Sequence, residues 1–315
     1  TWMVFAGIWA TIVYFPVAHW VFAFSSKDGS YTGGWIANKL GAIDFAGGTA
    51  VHINAGAAGL ALAIVLGKRV GFGKTAFRPH NLPFVMLGAG LLWFGWFGFN
   101  AGSALTAGTT ASIVWVTTLT ATATASLAWM LTERIRDGHA TSLGAASGVV
   151  AGLVAITPAC SSVNILGAIV IGLVAGVLCA MAVGLKYRFG LDDSLDVVGV
   201  HLVGGLVGTL MIGLVATSEA PAAVSGLFYG GGFSQLGKQA IAAGAVLAFS
   251  LVLTLIIGYI LHKTMGFRVD RDVEVAGIDI NEHAETGYEM SDGYGGAFAG
   301  SAGSVSAKTK EEVSA

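Results

Sequence analysis

Charged residues are scarce in this chain, and their scarcity argues against a water-soluble globular protein. Asp, Glu, Lys and Arg make up 11% of the 315 residues, whereas soluble globular proteins carry about 25%. The first 24 residues contain none of the four, and long uncharged stretches recur afterwards. Since a spanning helix needs about 20 mostly apolar residues, the sequence predicts a polytopic membrane protein.

Cysteine and strand-like patterning are also nearly absent. Cys160 and Cys179 fall on different predicted helices, so they indicate neither a disulfide framework nor a metal site. Apolar and polar residues do not alternate as they do in membrane strands. Most of the 47 glycines lie inside the apolar runs, where they favour close helix packing in lipid. We therefore expect an all-α bundle, and no cofactor, metal or nucleic acid.

Eight apolar segments are long enough to be membrane-spanning helices. They cover residues 2–24, 43–67, 82–105, 108–132, 141–159, 163–185, 196–217 and 239–262. The loops between them alternate in charge, and most of the 16 basic residues fall in one alternate set. The positive-inside rule places that set, and with it the C-terminus, in the cytoplasm.

The C-terminal part of the chain differs in composition from the rest. We assign residues 1–262 to a transmembrane region and residues 263–290 to a charged cytoplasmic tail. From residue 291 to residue 315, Gly, Ser and Ala dominate without periodicity. That composition predicts disorder.

Two histidines lie at membrane depth, where ionisable residues are costly and usually functional. His52 follows Asp44 by eight residues on an inward helix, and His201 follows Asp192 by nine residues on an outward helix. At 1.5 Å per residue, each lies about 12–13 Å from its own face of the membrane. Neutral imidazoles that meet can relay a proton. Two unrelated histidines, each satisfied by a neighbouring helix, are the alternative.

The helices that carry these histidines open in similar ways. One reads D-F-A-G-G-T-A-V-H from Asp44, and the other reads D-V-V-G-V-H from Asp196. Because the two helices run in opposite directions, they indicate an inverted repeat with a site at its interface. Asp44 and Asp196 also suit the capping of helix starts.

An aromatic segment, W-F-G-W-F-G-F-N-A-G-S, ends the third predicted helix at residues 93–103. Phe99 and Ser103 are four residues apart and share a helix face, and Trp96 lies one turn earlier. A ring and a hydroxyl at the outer mouth can hold a small cation through cation–π attraction and a hydrogen bond. An aromatic belt at the membrane interface is the alternative.

The ordered motifs of this chain resemble those of the ammonium transporter (Amt/Mep/Rh) family, of the bacterial Amt type. The similar segments are DFAGGTAVHINAG (44–56), GKRVGFGKTAFRPHNLP (67–83), GWFGFNAGSA (95–104), ITPAC (156–160), DVVGVH (196–201) and GIDINEHAETGY (277–288). The resemblance implies an eleven-helix fold, of which this chain holds eight helices and lacks the first three. It also implies a homotrimer in the cell membrane with one pore per subunit.

The same resemblance implies roles for individual residues. His52 and His201 are the twin histidines of the pore, and Asp196 is a structural acid. The residues implied in ammonium recruitment and gating are Phe22, Asp44, Phe99, Ser103 and Thr157. The residues implied in a regulatory tail, which couples subunits and contacts a PII-type signalling protein, are Gly277, Asp279, Asn281, His283 and Tyr288. The family usually has Trp in place of Phe22, so we expect an altered substrate affinity.

The resulting hypothesis is a transporter and not an enzyme. It captures NH4+ at an outer vestibule, removes the proton, and conducts NH3, with or without H+, past His52 and His201. One alternative is a membrane haem protein in which these two histidines are axial ligands. Another is an ammonium sensor of the same fold that signals through a cytoplasmic partner.

Overall fold

The computed structural model describes residues 1–288, and it is built from helices. Among these residues, seven helices are long and apolar enough to cross a membrane, and an eighth apolar helix is shorter. We number them in chain order as α1 (Trp2–Phe22), α2 (Gly48–Leu66), α3 (Leu82–Gly102), α4 (Thr109–Asp137), α5 (Ser142–Ile156), α6 (Ile165–Phe189), α7 (Val198–Val215) and α8 (Ser234–Met265). The prediction of a polytopic all-α membrane bundle is confirmed.

A second unit of the chain starts at Val269, after a first unit that runs from Thr1 to Arg268. Its described part contains a short helix, α9 (Arg271–Ala276), and a π-helical turn (Asp279–His283). Residues 289–315 lie outside the described part of the chain. The predicted disorder of residues 291–315 therefore concerns residues that the structure does not describe.

The fifth predicted span, residues 141–159, is shorter in the structure than expected. The helix α5 has 15 residues and ends at Ile156, so at 1.5 Å per residue it extends about 22 Å. That is less than the ~30 Å of a hydrocarbon core. Pro158 accounts for the early end, because proline has no N–H to continue the helical hydrogen bonds. Turns then carry the chain to Asn164, whose side chain caps α6.

Small residues allow α4, α5 and α6 to pack closely. A Cβ atom added to Gly152 of α5 would lie 2.7 Å from the Cα atom of Thr122 on α4. A Cβ atom added to Gly176 of α6 would clash with the carbonyl oxygen of Ala125 on α4. The three backbones therefore approach one another where side chains are absent, as is typical of helices packed in lipid.

The helices α2 and α7 cross in antiparallel directions. A Cβ atom on Gly56 would lie 2.5 Å from Leu202, and a Cβ atom on Gly205 would lie 3.0 Å from Ile53. The contacting positions thus rise along α2 as they fall along α7. This direction is the one that the sequence predicts, and α8 packs along both helices.

Gly208 of α7 offers a test of the close packing. A Cβ atom there would clash with the backbone carbonyl of Ala155 on α5, and backbone atoms cannot move aside by changing a rotamer. We expect Gly208→Ala to lower the free energy of unfolding by about 1–3 kcal/mol, seen as a lower midpoint of thermal unfolding in detergent.

Gly244→Ala is the matched control, because a Cβ atom at Gly244 of α8 would meet nothing within 4 Å. Alanine has the higher helix propensity, so this change should leave stability unaltered or raise it by up to about 1 kcal/mol. Equal midpoints for the two variants would contradict the close approach at Gly208.

Candidate functional site

The two histidines at membrane depth lie in direct contact. The Nδ1 atom of His52 is 3.2 Å from the Nδ1 atom of His201, and their ring centroids are 5.4 Å apart. His52 is 3% exposed, and His201 is half-buried. The structure therefore brings these two residues together from α2 and α7, which run in opposite directions.

The contact between the Nδ1 atoms constrains the hydrogens of the pair. One ring donates and the other accepts, because each nitrogen of a neutral imidazole is either a donor or an acceptor. If both rings carried an extra proton, two N–H groups would face each other without an acceptor. At least one ring must therefore stay neutral while the contact is kept. The buried Nε2 atom of His52 has no hydrogen-bond partner among the described residues.

The same distance bears on the haem alternative. A histidine nitrogen that ligates a metal such as zinc lies about 2.0–2.1 Å from it, so two ligands on opposite sides of a metal stand about 4 Å apart. The 3.2 Å contact between His52 and His201 leaves no such space. The geometry favours a direct imidazole pair over two axial ligands of a haem.

Asp44 forms the cap that starts α2. Its carboxylate accepts the four backbone N–H groups from Gly47 to Ala50 and the hydroxyl hydrogen of Thr49. Gly47 has a φ of +128°, which glycine adopts without strain. Both carboxylate oxygens of Asp44 are thus engaged within its own turn. The structure gives Asp44 a capping contact, whereas the resemblance implies a place beside the ammonium ion.

The corresponding cap of α7 is Asp193, which the sequence pattern did not lead us to single out. Its carboxylate accepts the backbone N–H groups of Val197 at 2.9 Å and Val198 at 2.8 Å. His201 follows Asp193 by eight residues, the same spacing as in the first helix. In both helices the histidine lies in an initial π-helical turn, Gly48–Ile53 or Val198–Leu202.

Asp196 does not cap α7. The prediction that Asp196 is the counterpart of Asp44 in the repeat is therefore wrong, because the counterpart is Asp193, three residues earlier. Its carboxylate is 2.6 Å from the Lys186 ammonium group, and its backbone has a φ of +58°. Burial raises the pKa of Asp196 above its ordinary value, although Lys186 acts in the opposite direction. The equal spacing of eight residues was the sequence signal for Asp193.

An ion pair joins the loop after α2 to the loop before α7. The Nε atom and one Nη atom of Arg69 donate to the carboxylate of Asp192 at 2.9 and 2.7 Å. The backbone N–H of Arg69 donates to the same carboxylate at 2.7 Å. Burial alone would raise the pKa of Asp192, but the hydrogen bonds and the charge of Arg69 more than offset it and lower that pKa.

Two aromatic residues of α3 form a wall beside His52. The Trp96 ring stacks on the His52 ring at 5.4 Å, with an angle of 13° between the planes. The Phe99 ring lies 6.4 Å from the His52 ring and meets Trp96 edge-on at 5.4 Å. Phe99 is 40% exposed, and the Ser103 hydroxyl donates to its carbonyl oxygen at 2.8 Å. Phe99 and Ser103 therefore share a face, as their spacing predicts.

Thr157 and Phe22 lie outside this wall. Thr157 is completely buried at the end of α5, and its Oγ1 atom accepts the indole N–H of Trp96 at 2.9 Å. Phe22 packs against an apolar cluster that includes Val21, Ile53 and Val246. Among the described residues, no aromatic ring stacks on Phe22.

The residues of the predicted regulatory motif lie in the second unit. The side chain of Asn281 donates to the carbonyl oxygen of Gly277 at 3.0 Å. Asp279 and His283 begin and end the π-helical turn, and Tyr288 is 51% exposed. The motif thus forms a compact turn with mostly exposed side chains.

Comparison with known proteins decides the family. The profile of the Ammonium Transporter Family matches residues 1–288. The chain belongs to the ammonium transporter family. The family that the ordered sequence motifs indicate is therefore confirmed.

Individual members of the family show how much of the protein is covered. An ammonium transporter of Mycobacterium tuberculosis is 66% identical over 296 residues, which are 92% of this chain and 62% of that protein. The crystal structure of Candida albicans Mep2 matches with a TM-score of 0.77 at 36% identity, over 86% of this chain and 60% of Mep2. A structure described as a Sensor Amt Protein matches with a TM-score of 0.79 at 31% identity, over 87% of this chain and 68% of that one. The chain spans less than two-thirds of the mycobacterial relative.

The Arg69–Asp192 pair predicts how the stability of this ammonium transporter chain depends on pH. Because folding lowers the pKa of Asp192, the pair stabilises the protein above the ordinary carboxyl pKa of about 3.9. That stabilisation is lost as the pH falls through the lowered pKa. Asn is an uncharged analogue of the protonated acid and cannot form the ion pair with Arg69. At pH 7, the thermal midpoint of Asp192→Asn should therefore lie below that of the unmodified protein. This difference in thermal midpoint should become smaller below about pH 4, as Asp192 becomes protonated in the unmodified protein as well.

Asp137→Asn is the control for this experiment. Its partner Arg136 and Asp137 itself are 44% and 42% exposed, and exposed ion pairs contribute little. We expect a small deficit for this variant at every pH. A deficit of Asp192→Asn that did not change with pH would show that the charge of Asp192 is not what stabilises the loops.

Proposed function

We propose that this protein transports ammonium across a membrane. NH4+ is captured at an outer vestibule and loses its proton, and NH3 then passes along His52 and His201. One observation carries this proposal: two histidines, buried among membrane-spanning helices of an ammonium transporter family chain, meet at 3.2 Å.

The apolar surroundings of the pair support the deprotonation step. An unpaired cation inside an apolar passage costs several kcal/mol or more, whereas ammonia is neutral and both donates and accepts hydrogen bonds. Asp44 and Asp193, the carboxylates at the starts of the two histidine helices, are already engaged by backbone N–H groups and are poorly placed to compensate a cation at the pair. The neutral molecule is the form that this passage suits.

The geometry of the pair supports a proton path. The Nδ1 atoms share one hydrogen, so a proton added to the outer nitrogen of one ring can be released from the outer nitrogen of the other. The buried Nε2 atom of His52, which has no partner among the described residues, is the group that would contact the cargo. This arrangement supports the proposed conduction of NH3, with or without H+.

The capture site is proposed at Phe99 and Ser103 near the end of α3, with Phe22 at the end of α1 as a further member. The Phe99 ring, which is the partly exposed member of this wall, offers a π face to a cation. Such a contact is worth about 0.5–2 kcal/mol. The Ser103 hydroxyl is half-buried at the end of α3 and has one hydrogen, which it donates to Phe99. Its lone pairs can accept a hydrogen bond from ammonium. Asp44 acts as a structural acid that holds the start of α2, and Asp196 acts as a structural acid of the loop before α7, where it pairs with Lys186.

Ammonium sensing is the second candidate function. The match to a Sensor Amt Protein at a TM-score of 0.79 favours it, because the same helices would then bind ammonium and signal through a cytoplasmic partner. Uptake of methylammonium into cells separates the two functions, since a transporter accumulates the compound and a sensor does not.

Location and assembly belong to the same proposal. We place the protein in the cell membrane as a homotrimer, with residues 1–262 spanning the membrane. The basic residues of alternate loops support a cytoplasmic C-terminus. The tail at residues 263–290 then faces the cytoplasm, where its exposed turn at Asp279–His283 offers a surface to another subunit or to a PII-type signalling protein.

The tail proposal predicts a partner that depends on the exposed turn. We expect a PII-type protein to co-purify with the complete transporter from cells shifted between low and high ammonium. Asn281→Ala removes the hydrogen bond to Gly277 and should weaken this co-purification by about fivefold, as loss of ~1 kcal/mol would. Lys308→Ala, outside the described residues, is the control. If equal amounts of the PII-type protein were recovered with the unmodified transporter and with both variants, the turn would be excluded as the contact.

The histidine pair predicts the outcome of an electrical measurement. An ammonium pulse applied to proteoliposomes with the complete transporter should give a saturable inward current. His52→Ala and His201→Ala should each lower that current about tenfold or more, because a proton-transfer partner is lost. His139→Ala, at an exposed position beyond α4, should leave it unchanged.

Other results of the same measurement have definite meanings. Internal alkalinisation without current would indicate passive passage of ammonia. If the unmodified protein gave neither a current nor internal alkalinisation, the result would favour the sensor. Unchanged currents in both histidine variants would refute the role of the pair.

A further inference from the structure

Two residues of helix α3 are buried against the rest of the bundle. Of the residues of α3, all of which the structure describes, Trp96 and Asn100 alone are buried. They are four residues apart, so they lie on one face of the helix. Both make hydrogen bonds to Thr157, at the end of α5. The side of α3 that faces the bundle is therefore organised around one threonine hydroxyl.

The hydrogen bonds around this hydroxyl form a chain through three helices. The Trp96 indole N–H donates to the Oγ1 atom of Thr157 at 2.9 Å. The Thr157 hydroxyl lies 2.7 Å from the Leu153 carbonyl oxygen and 3.3 Å from the Oδ1 atom of Asn100. The Nδ2 atom of Asn100 donates to the Oγ1 atom of Thr118 on α4 at 3.0 Å.

We infer that Thr157 is a positioning residue for the transport site: its hydroxyl holds the Trp96 indole parallel to the imidazole of His52. The inference rests on the proposed transport function and refines it. The resemblance implies recruitment at the outer mouth for Thr157, whereas this inference assigns Thr157 to the support of Trp96, which belongs to the wall beside His52.

The stacking geometry shows what the hydroxyl controls. The Trp96 and His52 rings lie 13° from parallel, with centroids 5.4 Å apart. A buried indole N–H needs an acceptor, and here the acceptor is Thr157. Without it, the indole would turn toward another acceptor, and the flat face beside His52 would be lost. The imidazole would then be free to tilt away from its 3.2 Å contact with His201.

The surroundings of Thr157 argue against direct recruitment. The residue is completely buried. Its single hydroxyl hydrogen is used by Leu153 or Asn100, and a lone pair is used by Trp96. An incoming ammonium ion would have to displace the indole to reach the hydroxyl. A role in recruitment and a role in positioning therefore predict different kinetics.

The test is the concentration dependence of ammonium current in proteoliposomes with the complete transporter. Thr157→Val keeps the shape of the side chain and removes the acceptor. We expect it to lower Vmax about tenfold, the factor that corresponds to ~1.4 kcal/mol, with KM unchanged. Thr157→Ser keeps the hydroxyl and should restore most of Vmax. A raised KM with unchanged Vmax would assign Thr157 to recruitment and overturn the inference.

Thr117→Val controls for the loss of any buried hydroxyl. Thr117 is also buried, and its hydroxyl bridges to the Cys160 carbonyl oxygen at 2.9 Å without contact to Trp96. Currents are normalised to the folded transporter recovered by size-exclusion chromatography. We expect Thr117→Val to leave Vmax unchanged per folded molecule. A loss equal to that of Thr157→Val would mean that the threonine acts only through general stability.

Trp96→Phe makes the test independent of whether Thr157→Val folds. This change keeps a ring but removes the N–H donor, so it should lower Vmax at unchanged KM. If both variants fold, adding Thr157→Val to Trp96→Phe should cause no further loss, since the two residues act through one hydrogen bond. Additive losses, or unaltered current with Trp96→Phe, would overturn the inference. Absence of both current and internal alkalinisation with the unmodified transporter would instead refute the transport function itself.

Discussion

Two imidazoles in an apolar interior must satisfy each other, and much of the fold follows from that requirement. A polar ring without partners is costly at membrane depth, and the contact between His52 and His201 removes part of that cost. It requires two helices whose backbones approach closely. Gly56 and Gly205 permit that approach, because a Cβ atom at either position would press on the opposite helix. The histidines and the glycines are therefore parts of one constraint.

The same constraint explains why both helices start abruptly beside the site. Irregular backbone within a membrane protein is tolerated only where its polar groups find partners. Asp44 and Asp193 supply those partners, and each stands eight residues before its histidine. A carboxylate thus fixes where each helix begins, and the helix in turn fixes the depth of the imidazole. The same arrangement occurs in two antiparallel helices. It supports the inverted repeat more directly than the sequence similarity between the segments that start at Asp44 and Asp196.

The sequence predicted the features that depend on local composition, such as the positions of the helices. It did not predict the contacts that form only when distant segments fold together. Apolar length located the helices, and distance from the helix start located His52 and His201. The shortening of α5 was readable from Pro158, although the apolar run continues past it. Asp192, Asp193 and Asp196 lie within five residues, and only the folded loop shows which one caps the helix and which ones pair with Arg69 and Lys186. The bond between Trp96 and Thr157 joins residues 61 positions apart, so local pattern carries no sign of it.

The arrangement of charge around the pair bears on the proposal that the protein captures a cation and conducts a neutral molecule. Carboxylates lie near the starts of both histidine helices, but each already accepts hydrogen bonds from backbone N–H groups or pairs with Arg69 or Lys186. The histidine pair keeps its own contact only while at least one ring is neutral. Aromatic rings, which attract a cation without holding a counter-charge, are what remains beside His52. Under the proposed mechanism a proton travels along the imidazoles, whereas a cation that moved past the rings would find Asp44 and Asp193 already bonded to backbone N–H groups.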